Sequence, residues 1–130
     1  MQTIKSTGQI KLVSRLVFTL VAAAFFTGCV TRITDFTVLS TKNIDLSQAS
    51  NFKRASARVT GEDQAFVILI IPTGVPTVKE AVDQALQSVP GGIALVDGVV
   101  KTRNWWLIFG ENTMIVEGTP LIDPSLVGNK

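Results

Sequence analysis

The sequence predicts an α+β domain whose elements follow the order β-β-α-β-β. One segment has the apolar spacing of an amphipathic helix, and it is flanked on both sides by β-prone, largely apolar segments. Proline and glycine residues separate these segments. We therefore expect a single antiparallel or mixed sheet with one helix, residues 78–89, packed on one face.

Two segments before the helix are β-prone. Residues 34–42, which include three Thr together with Phe, Val and Leu, predict a first strand, and the polar residues 43–54 predict a loop. Residues 55–71 are the strongest strand region, and residues 64–71 within it are apolar at nearly every position. This pattern favours a central strand covered on both faces, by the helix on one side and by a partner chain or aromatic side chains on the other.

The helix has a clear beginning and end in the sequence. Thr77 is a suitable N-cap, and Glu80 follows three residues later, as in a capping box. Residues 90–92, Pro-Gly-Gly, end the helix. Its apolar side chains recur every three or four residues and form one face: Val78, Ala81, Val82, Ala85, Leu86 and Val89.

Strands return after the helix. Residues 93–100 predict a strand with a bulge near Gly98. Residues 104–109 and 113–119 predict a hairpin that turns around Gly110 and Glu111. We expect residues 120–130 to form a flexible tail.

The amino-terminal segment has the layout of a secretory signal. Lys5, Lys11 and Arg15 give it a positive start, and no charge occurs between Leu16 and Val30. A membrane-spanning helix needs about 20 apolar residues. The stretch from Leu16 to Val30 has only fifteen residues, which favours a signal over a permanent span.

Residues 26–29, Phe-Thr-Gly-Cys, resemble the lipobox of bacterial lipoproteins. The resemblance implies cleavage between Gly28 and Cys29, a diacylglycerol on the Cys29 sulfur and acylation of the new amino group. By the same resemblance, Val30 in place of Asp favours the outer membrane, with the domain in the periplasm. The alternative is a free or buried Cys29 after an uncleaved helix.

This resemblance divides the chain into four parts. Residues 1–28 are the expected signal peptide, and 29–35 are the lipidated terminus and a short tether. Residues 36–119 form the α+β domain, and 120–130 form the tail. The domain itself resembles small Gram-negative lipoproteins of unassigned function with a β-β-α-β-β core.

The charge of the chain gives no indication that it binds nucleic acid electrostatically. The whole sequence carries 12 basic and 10 acidic residues. Three of the basic residues and none of the acidic ones precede Cys29. The remaining chain is therefore close to neutral, unlike a basic nucleic-acid-binding surface.

Residue types that commonly carry catalysis are scarce. The sequence has no His, no Tyr and one Cys, so catalysis would depend on carboxylates, Lys or Ser. We therefore expect that the protein is not an enzyme and binds no cofactor or metal ion. We expect a non-enzymatic binding or assembly module of the cell envelope, which binds another envelope protein or associates with itself. The alternative is a module that binds lipid or cell-wall fragments in a groove between helix and sheet.

Three residues are candidates for interaction. Adjacent Trp105 and Trp106 must face opposite sides of a strand, and paired aromatic residues often anchor protein partners or lie at a membrane interface. The alternative is that both rings are covered within the domain. Asp97 interrupts an apolar strand, as either a buried functional carboxylate or a bulge residue beside Gly98.

Two further positions have weaker signals. Residues 73–77 precede a helix, where backbone amides can bind an anion, but a plain strand-to-helix connection is the simpler interpretation. Lys101 and Arg103 precede the Trp pair on a predicted turn, where contact with lipid phosphates competes with simple solvation.

Overall fold

A computed structural model describes residues 4–24 and 29–127 of the chain. It confirms the α+β class: within these ranges an antiparallel sheet of six strands is combined with helices. Gly28, at the predicted cleavage site, lies outside the described residues.

The elements are given in chain order. The α-helices and strands are α1 (Ile4–Ala24), β1 (Cys29–Leu39), β2 (Lys53–Arg54), β3 (Val59–Ile68), β4 (Ile71–Pro72), α2 (Val78–Gln87), β5 (Gly92–Trp106) and β6 (Phe109–Ile122). Short 3₁₀ helices occupy Leu46–Asn51 and Pro124–Leu126.

The sheet is built around the long hairpin of β5 and β6. Its order is β1-β5-β6-β3-β4, and β2 pairs with the end of β6. Of the five predicted strand segments, residues 93–100 and the first part of 104–109 lie in one strand, β5. The two additional strands, β2 and β4, have two residues each, too short to produce a recognisable sequence pattern.

Helix α2 supplies the core. Its buried side chains pack against Leu95, Val100 and Val116 of the central hairpin. The helix ends at Gln87 rather than at residue 89 as predicted, because Ser88 already caps it and its hydroxyl donates to the Ala85 carbonyl oxygen. The helical residues of this core are Ala81, Val82, Ala85 and Leu86, each at most 1% exposed.

The predicted tether is part of the sheet. Residues 29–35 form the first half of β1, and Cys29 is the pairing partner of Asn104. The tether prediction was wrong because β5 is longer than expected and offers backbone partners along its whole length.

The predicted tail is also partly structured. Strand β6 continues to Ile122, and a 3₁₀ turn follows at Pro124–Leu126. Residues 120–122 remain in the sheet because β5 and β2 pair with them. The last three positions, 128–130, lie outside the described residues.

The predicted strand region at 55–71 is confirmed from Val59 to Ile68, but the expected coverage of residues 64–71 on both faces was wrong. The chain reverses at Leu69, which has a φ of +58°, and Ile71 then pairs back with Ile68. The outer neighbour of β3 is thus only the two-residue β4. This end of β3 is therefore poorly covered, and Phe66 is 53% exposed.

The predicted boundary between β5 and β6 is shifted. Strand β5 runs without interruption from Gly92 to Trp106, and the chain turns at residues 107–108 instead of at Gly110. Gly110 instead pairs with Trp106 inside the hairpin. Lys101 and Arg103 therefore lie in a strand and not on an exposed turn.

Candidate functional site

Cys29 lies at one end of an edge strand. It is the first residue of β1, is exposed and forms no disulfide. Because β1 and β5 are antiparallel, its pairing with Asn104 places Cys29 at the end of the sheet where β5 reaches Trp106. The predicted lipidation site is thus accessible and adjacent to the Trp pair.

The two Trp residues occupy the last positions of β5. They face opposite sides of the strand, as β geometry requires. Trp106 is 58% exposed, and its Nε1 donates a hydrogen bond to the Leu69 carbonyl oxygen. Trp105 is half-buried and lies across from Glu111. Neither ring is fully covered within the described part of the domain.

The hydrogen bond from Trp106 joins two neighbouring turns. One connects β3 to β4, and the other connects β5 to β6. The Leu69 amide donates to the Ile108 carbonyl oxygen at 2.8 Å, and Ile68 pairs with Phe109. The turns therefore form one continuous surface.

We call this surface the apolar tip. Its side chains are large, hydrophobic and 47–82% exposed. Its residues are Phe66, Ile68, Leu69, Ile70, Ile71, Trp106, Leu107, Ile108 and Phe109. A patch of this kind on a folded domain usually marks a contact with a protein or a membrane.

The apolar tip contains no charge. No acidic or basic residue occurs between residues 64 and 78, or between residues 104 and 110. The sequence did not identify this surface, because it assigned 64–71 to a buried strand. In the sequence, both segments are uncharged and largely apolar, which hints at an apolar surface. Only the pairing of the strands in the structure shows that the two segments lie side by side.

A charged layer lies next to the tip. Lys101 contacts Glu117 at 2.6 Å, and Arg103 contacts Glu62 at 3.2 Å and Glu111 at 3.6 Å. These long side chains cover part of the sheet with their aliphatic portions. The contact with lipid phosphates considered for Lys101 and Arg103 thus competes with ion pairs inside the domain.

Beneath this layer two side chains are well shielded on the face to which Lys101 and Arg103 belong. Thr113 is 0% and Ile115 is 6% exposed. The Thr113 hydroxyl donates to a carboxylate oxygen of Glu111. The charged layer therefore closes this part of the sheet without a second helix.

Asp97 has a local structural role. It is exposed, has a φ of +48° and lies at the register shift between Val96 and Val99. Its carboxylate accepts a hydrogen bond from Arg54, and its carbonyl oxygen accepts one from Arg58 at 3.0 Å. The structure therefore supports the bulge interpretation, and Asp97 is not a buried carboxylate.

Asp97 and the Trp pair are not brought together. They lie eight residues apart on β5, about 25 Å at ~3.3 Å per residue. Asp97 and the Trp pair therefore do not line one common groove between helix and sheet. The helix–sheet contact is also filled, since Val82, Leu95 and Val116 are 0% exposed.

The loop before α2 already has a negatively charged partner. The Thr77 amide donates to Asp63 Oδ2 at 2.7 Å, and the Thr77 hydroxyl accepts from the Glu80 amide at 3.3 Å. Asp63 thus contributes a carboxylate at the helix N-terminus, which disfavours a second anion there. The plain strand-to-helix connection is the better description of residues 73–77.

The described ranges contain no group of three or more His, Cys, Asp or Glu side chains placed to hold a metal ion. Among the same residues, no helix combines the length and apolarity needed to cross a bilayer. Comparison of the chain with protein-family models, curated proteins and solved structures gave no match.

Proposed function

We propose that this chain is an outer-membrane lipoprotein that faces the periplasm and acts as a non-enzymatic binding or assembly module of the cell envelope. The observation that carries the proposal is the exposed Cys29 at the start of edge strand β1. It follows a positive and then uncharged segment of signal type. Acyl chains on Cys29 would anchor the domain stably, because two or more chains bind a membrane far more durably than one.

The outer edge of β1 is the proposed protein-binding surface. This strand has eleven residues and pairs with β5 on one side. An edge strand presents backbone N–H and C=O groups that can pair with an extended segment of another chain. We propose strand addition by a neighbouring envelope protein, with a second copy of this chain as one such neighbour.

The proposal includes the β-β-α-β-β description of the domain, with α2 on one face of the sheet. On the other face, Lys101 and Arg103 bind carboxylates within the domain. These groups thus stabilise the fold, which is consistent with a binding role. An enzyme would instead be expected to direct such groups towards a shared substrate cavity.

The anchor is tested by the intact mass of the protein extracted from membranes. We expect a chain that begins at Cys29 and carries a diacylglycerol and a third acyl group. Cys29→Ser should lack both modifications and retain the residues before position 29. An unmodified wild-type chain that retains Met1 would overturn the proposed anchor.

The partner is tested by site-specific photo-crosslinking in membranes. A photoreactive residue at Ile33 of β1 should give a defined crosslinked species, whereas one at Leu126 should not. The two side chains are similarly exposed, at 53% and 57%. A strictly monomeric protein with no crosslink at Ile33 would contradict the assembly role and leave the anchor standing.

A further inference from the structure

We propose that the apolar tip inserts into the lipid bilayer beside Cys29 and forms a second membrane contact of the domain. This proposal rests on the proposed function, because acyl chains on Cys29 bring the tip to the membrane. It adds an orientation to the anchor: the turns 69–70 and 107–108 point towards the lipid.

The geometry of the sheet brings tip and anchor together. Cys29 is paired with Asn104, and the turn at Leu107 follows three residues later. At ~3.3 Å per residue the turn extends about 10 Å beyond the level of Cys29. Interfacial helices bury their apolar faces to a similar depth, ~5–10 Å. With Cys29 at the headgroups, the tip reaches the boundary of the acyl chains.

The side chains of the tip suit this depth. Ile70, Ile71 and Phe109 are 82%, 67% and 63% exposed, so insertion would remove a large apolar area from water. Trp106 lies at the base of the tip, and Trp prefers the boundary between membrane and water. The indole N–H of Trp106 is already bonded to the Leu69 carbonyl oxygen, which lowers the cost of removing it from water.

The backbone of the tip is also partly prepared for lipid. Polar backbone groups without partners are costly in an apolar environment. Here the Leu69 amide donates to the Ile108 carbonyl oxygen, and the Leu107 amide donates to the Phe109 carbonyl oxygen at 3.1 Å. The first bond joins the two turns, and the second closes the turn between β5 and β6, so part of the backbone of the tip already has partners.

The charges near the tip favour an apolar lipid contact over an electrostatic one. Arg103 and Lys101 are the basic residues of β5 nearest the tip, and both contact carboxylates. These carboxylates offset the charge of both basic residues and leave little net attraction for anionic headgroups. Insertion should therefore depend weakly on salt and on anionic lipid.

Native Trp fluorescence can test the proposal. The chain has two Trp residues: Trp106 belongs to the apolar tip, and Trp105 precedes it on the opposite face of β5. In Trp105→Phe the remaining signal comes from Trp106 alone. The full chain, processed and purified from membranes, is reconstituted in phosphatidylcholine vesicles with lipids brominated near the headgroup or deep in the acyl chains. We expect quenching by the shallow bromines and protection from aqueous acrylamide.

Substitutions in the tip test the cause of this quenching. Ile70→Asp and Ile108→Asp are made in the Trp105→Phe background, with Leu46→Asp as the matched control. Leu46 is 75% exposed but lies in a 3₁₀ helix outside the tip. Each tip variant should shift the ratio of inserted to withdrawn tip by about tenfold or more, because burial of one isoleucine is worth at least one decade in an equilibrium constant. The control should leave the quenching unchanged, and circular dichroism verifies the fold of each variant.

The outcomes separate the tip from the anchor. Acylated, vesicle-bound protein whose Trp106 is quenched by acrylamide but not by brominated lipid would overturn tip insertion and leave the anchor intact. If the protein purified from membranes carries no acyl chain, the proposed anchor is overturned. Quenching of its Trp106 by brominated lipid in added vesicles would still support the tip. Strong crosslinking of position 108 to a protein in membranes, without lipid quenching, would assign the tip to a protein partner and overturn the proposal.

Discussion

Gly61 of β3 lies directly beneath Ala81 of α2, with no room for a side chain between them. A Cβ atom placed on Gly61 would lie 1.9 Å from the Ala81 carbonyl oxygen and 2.7 Å from the Ala85 amide nitrogen. Both contacts involve helix backbone, which cannot rotate away. The close approach of α2 to the sheet therefore depends on this one glycine.

Gly61→Ala should destabilise the domain by about 1–3 kcal/mol, the usual cost of overpacking a core. Urea unfolding of the full chain, followed by circular dichroism, measures this change. Gly74→Ala is the matched control, because its Cβ would meet Ala65 at an ordinary 3.7 Å. Equal stability of the two variants would contradict the close contact.

The Thr41 hydroxyl, in the loop that follows β1, donates a hydrogen bond to the Asp83 carboxylate of α2. This link should weaken in acid. Hydrogen bonds from Lys79 and then Thr41 hold the pKa of Asp83 below its ordinary value of 3.8. The hydrogen bond to Asp83 in turn raises the pKa of Lys79 above 10.5. The Asp83 contribution is thus complete above pH 3.8 and is lost as the pH falls through the lowered pKa. The Lys79 contribution is complete below pH 10.5 and is lost as the pH rises through the raised pKa.

Thermal unfolding across this acidic range measures the effect. Asp83→Asn should flatten the acidic limb of the stability profile, whereas Thr41→Val should reduce its slope only in part. Identical acidic limbs for wild type and Asp83→Asn would show that other carboxylates control acid unfolding.

Asp97 is held in the left-handed backbone region, where Asp and Asn are tolerated better than other side chains. Asp97→Asn should have little effect, because an exposed ion pair such as that with Arg54 contributes only ~0–1 kcal/mol. Asp97→Val should cost about 1–2 kcal/mol more, because a β-branched side chain fits this backbone poorly. Urea midpoints compare the two variants. A larger loss in the Asn variant would assign the role to charge instead.

Trp106 connects the two turns of the apolar tip through the Leu69 carbonyl oxygen. Trp106→Phe should loosen the tip locally, since one hydrogen bond contributes about 1 kcal/mol net. Amide hydrogen exchange should increase at Leu69 while the global unfolding free energy changes little. Trp105→Phe is the control, because that ring lies on the opposite face. Unchanged exchange at Leu69 would show that Ile108 alone fixes the turn.

Local features of this fold were accessible from the sequence. The Thr77 cap, the apolar spacing of α2 and the bulge beside Gly98 each depend on residues a few positions apart. Interactions between residues close together in the sequence therefore largely determine these features. The opposite orientation of Trp105 and Trp106 follows in the same way from strand geometry.

Long-range pairing explains what the sequence did not reveal. An apolar run such as residues 64–71 shows that burial is favourable, but not whether another strand is available to provide it. Here β3 pairs with β6 along its whole length, but its outer neighbour β4 has only two residues, and the chain turns at Leu69. Similarly, residues 29–35 join the sheet because β5 continues to Asn104 beside them. The apolar tip arises where two distant turns meet, so no single segment predicts it.

Cys29 is itself the first residue of the sheet, so no flexible spacer separates the proposed anchor from the domain. The distance of each part of the domain from the anchor is therefore fixed by the sheet. Cys29 is level with Asn104, and twelve residues of β5 separate that position from Gly92 at the opposite end, about 40 Å at ~3.3 Å per residue. With Cys29 at the membrane, as proposed, Lys53 and Asp123 at that far end stand roughly this distance above the lipid. The sheet would then act as a rigid spacer: its hydrophilic end meets molecules arriving from the periplasm, while the edge of β1 remains close to neighbours in the same membrane.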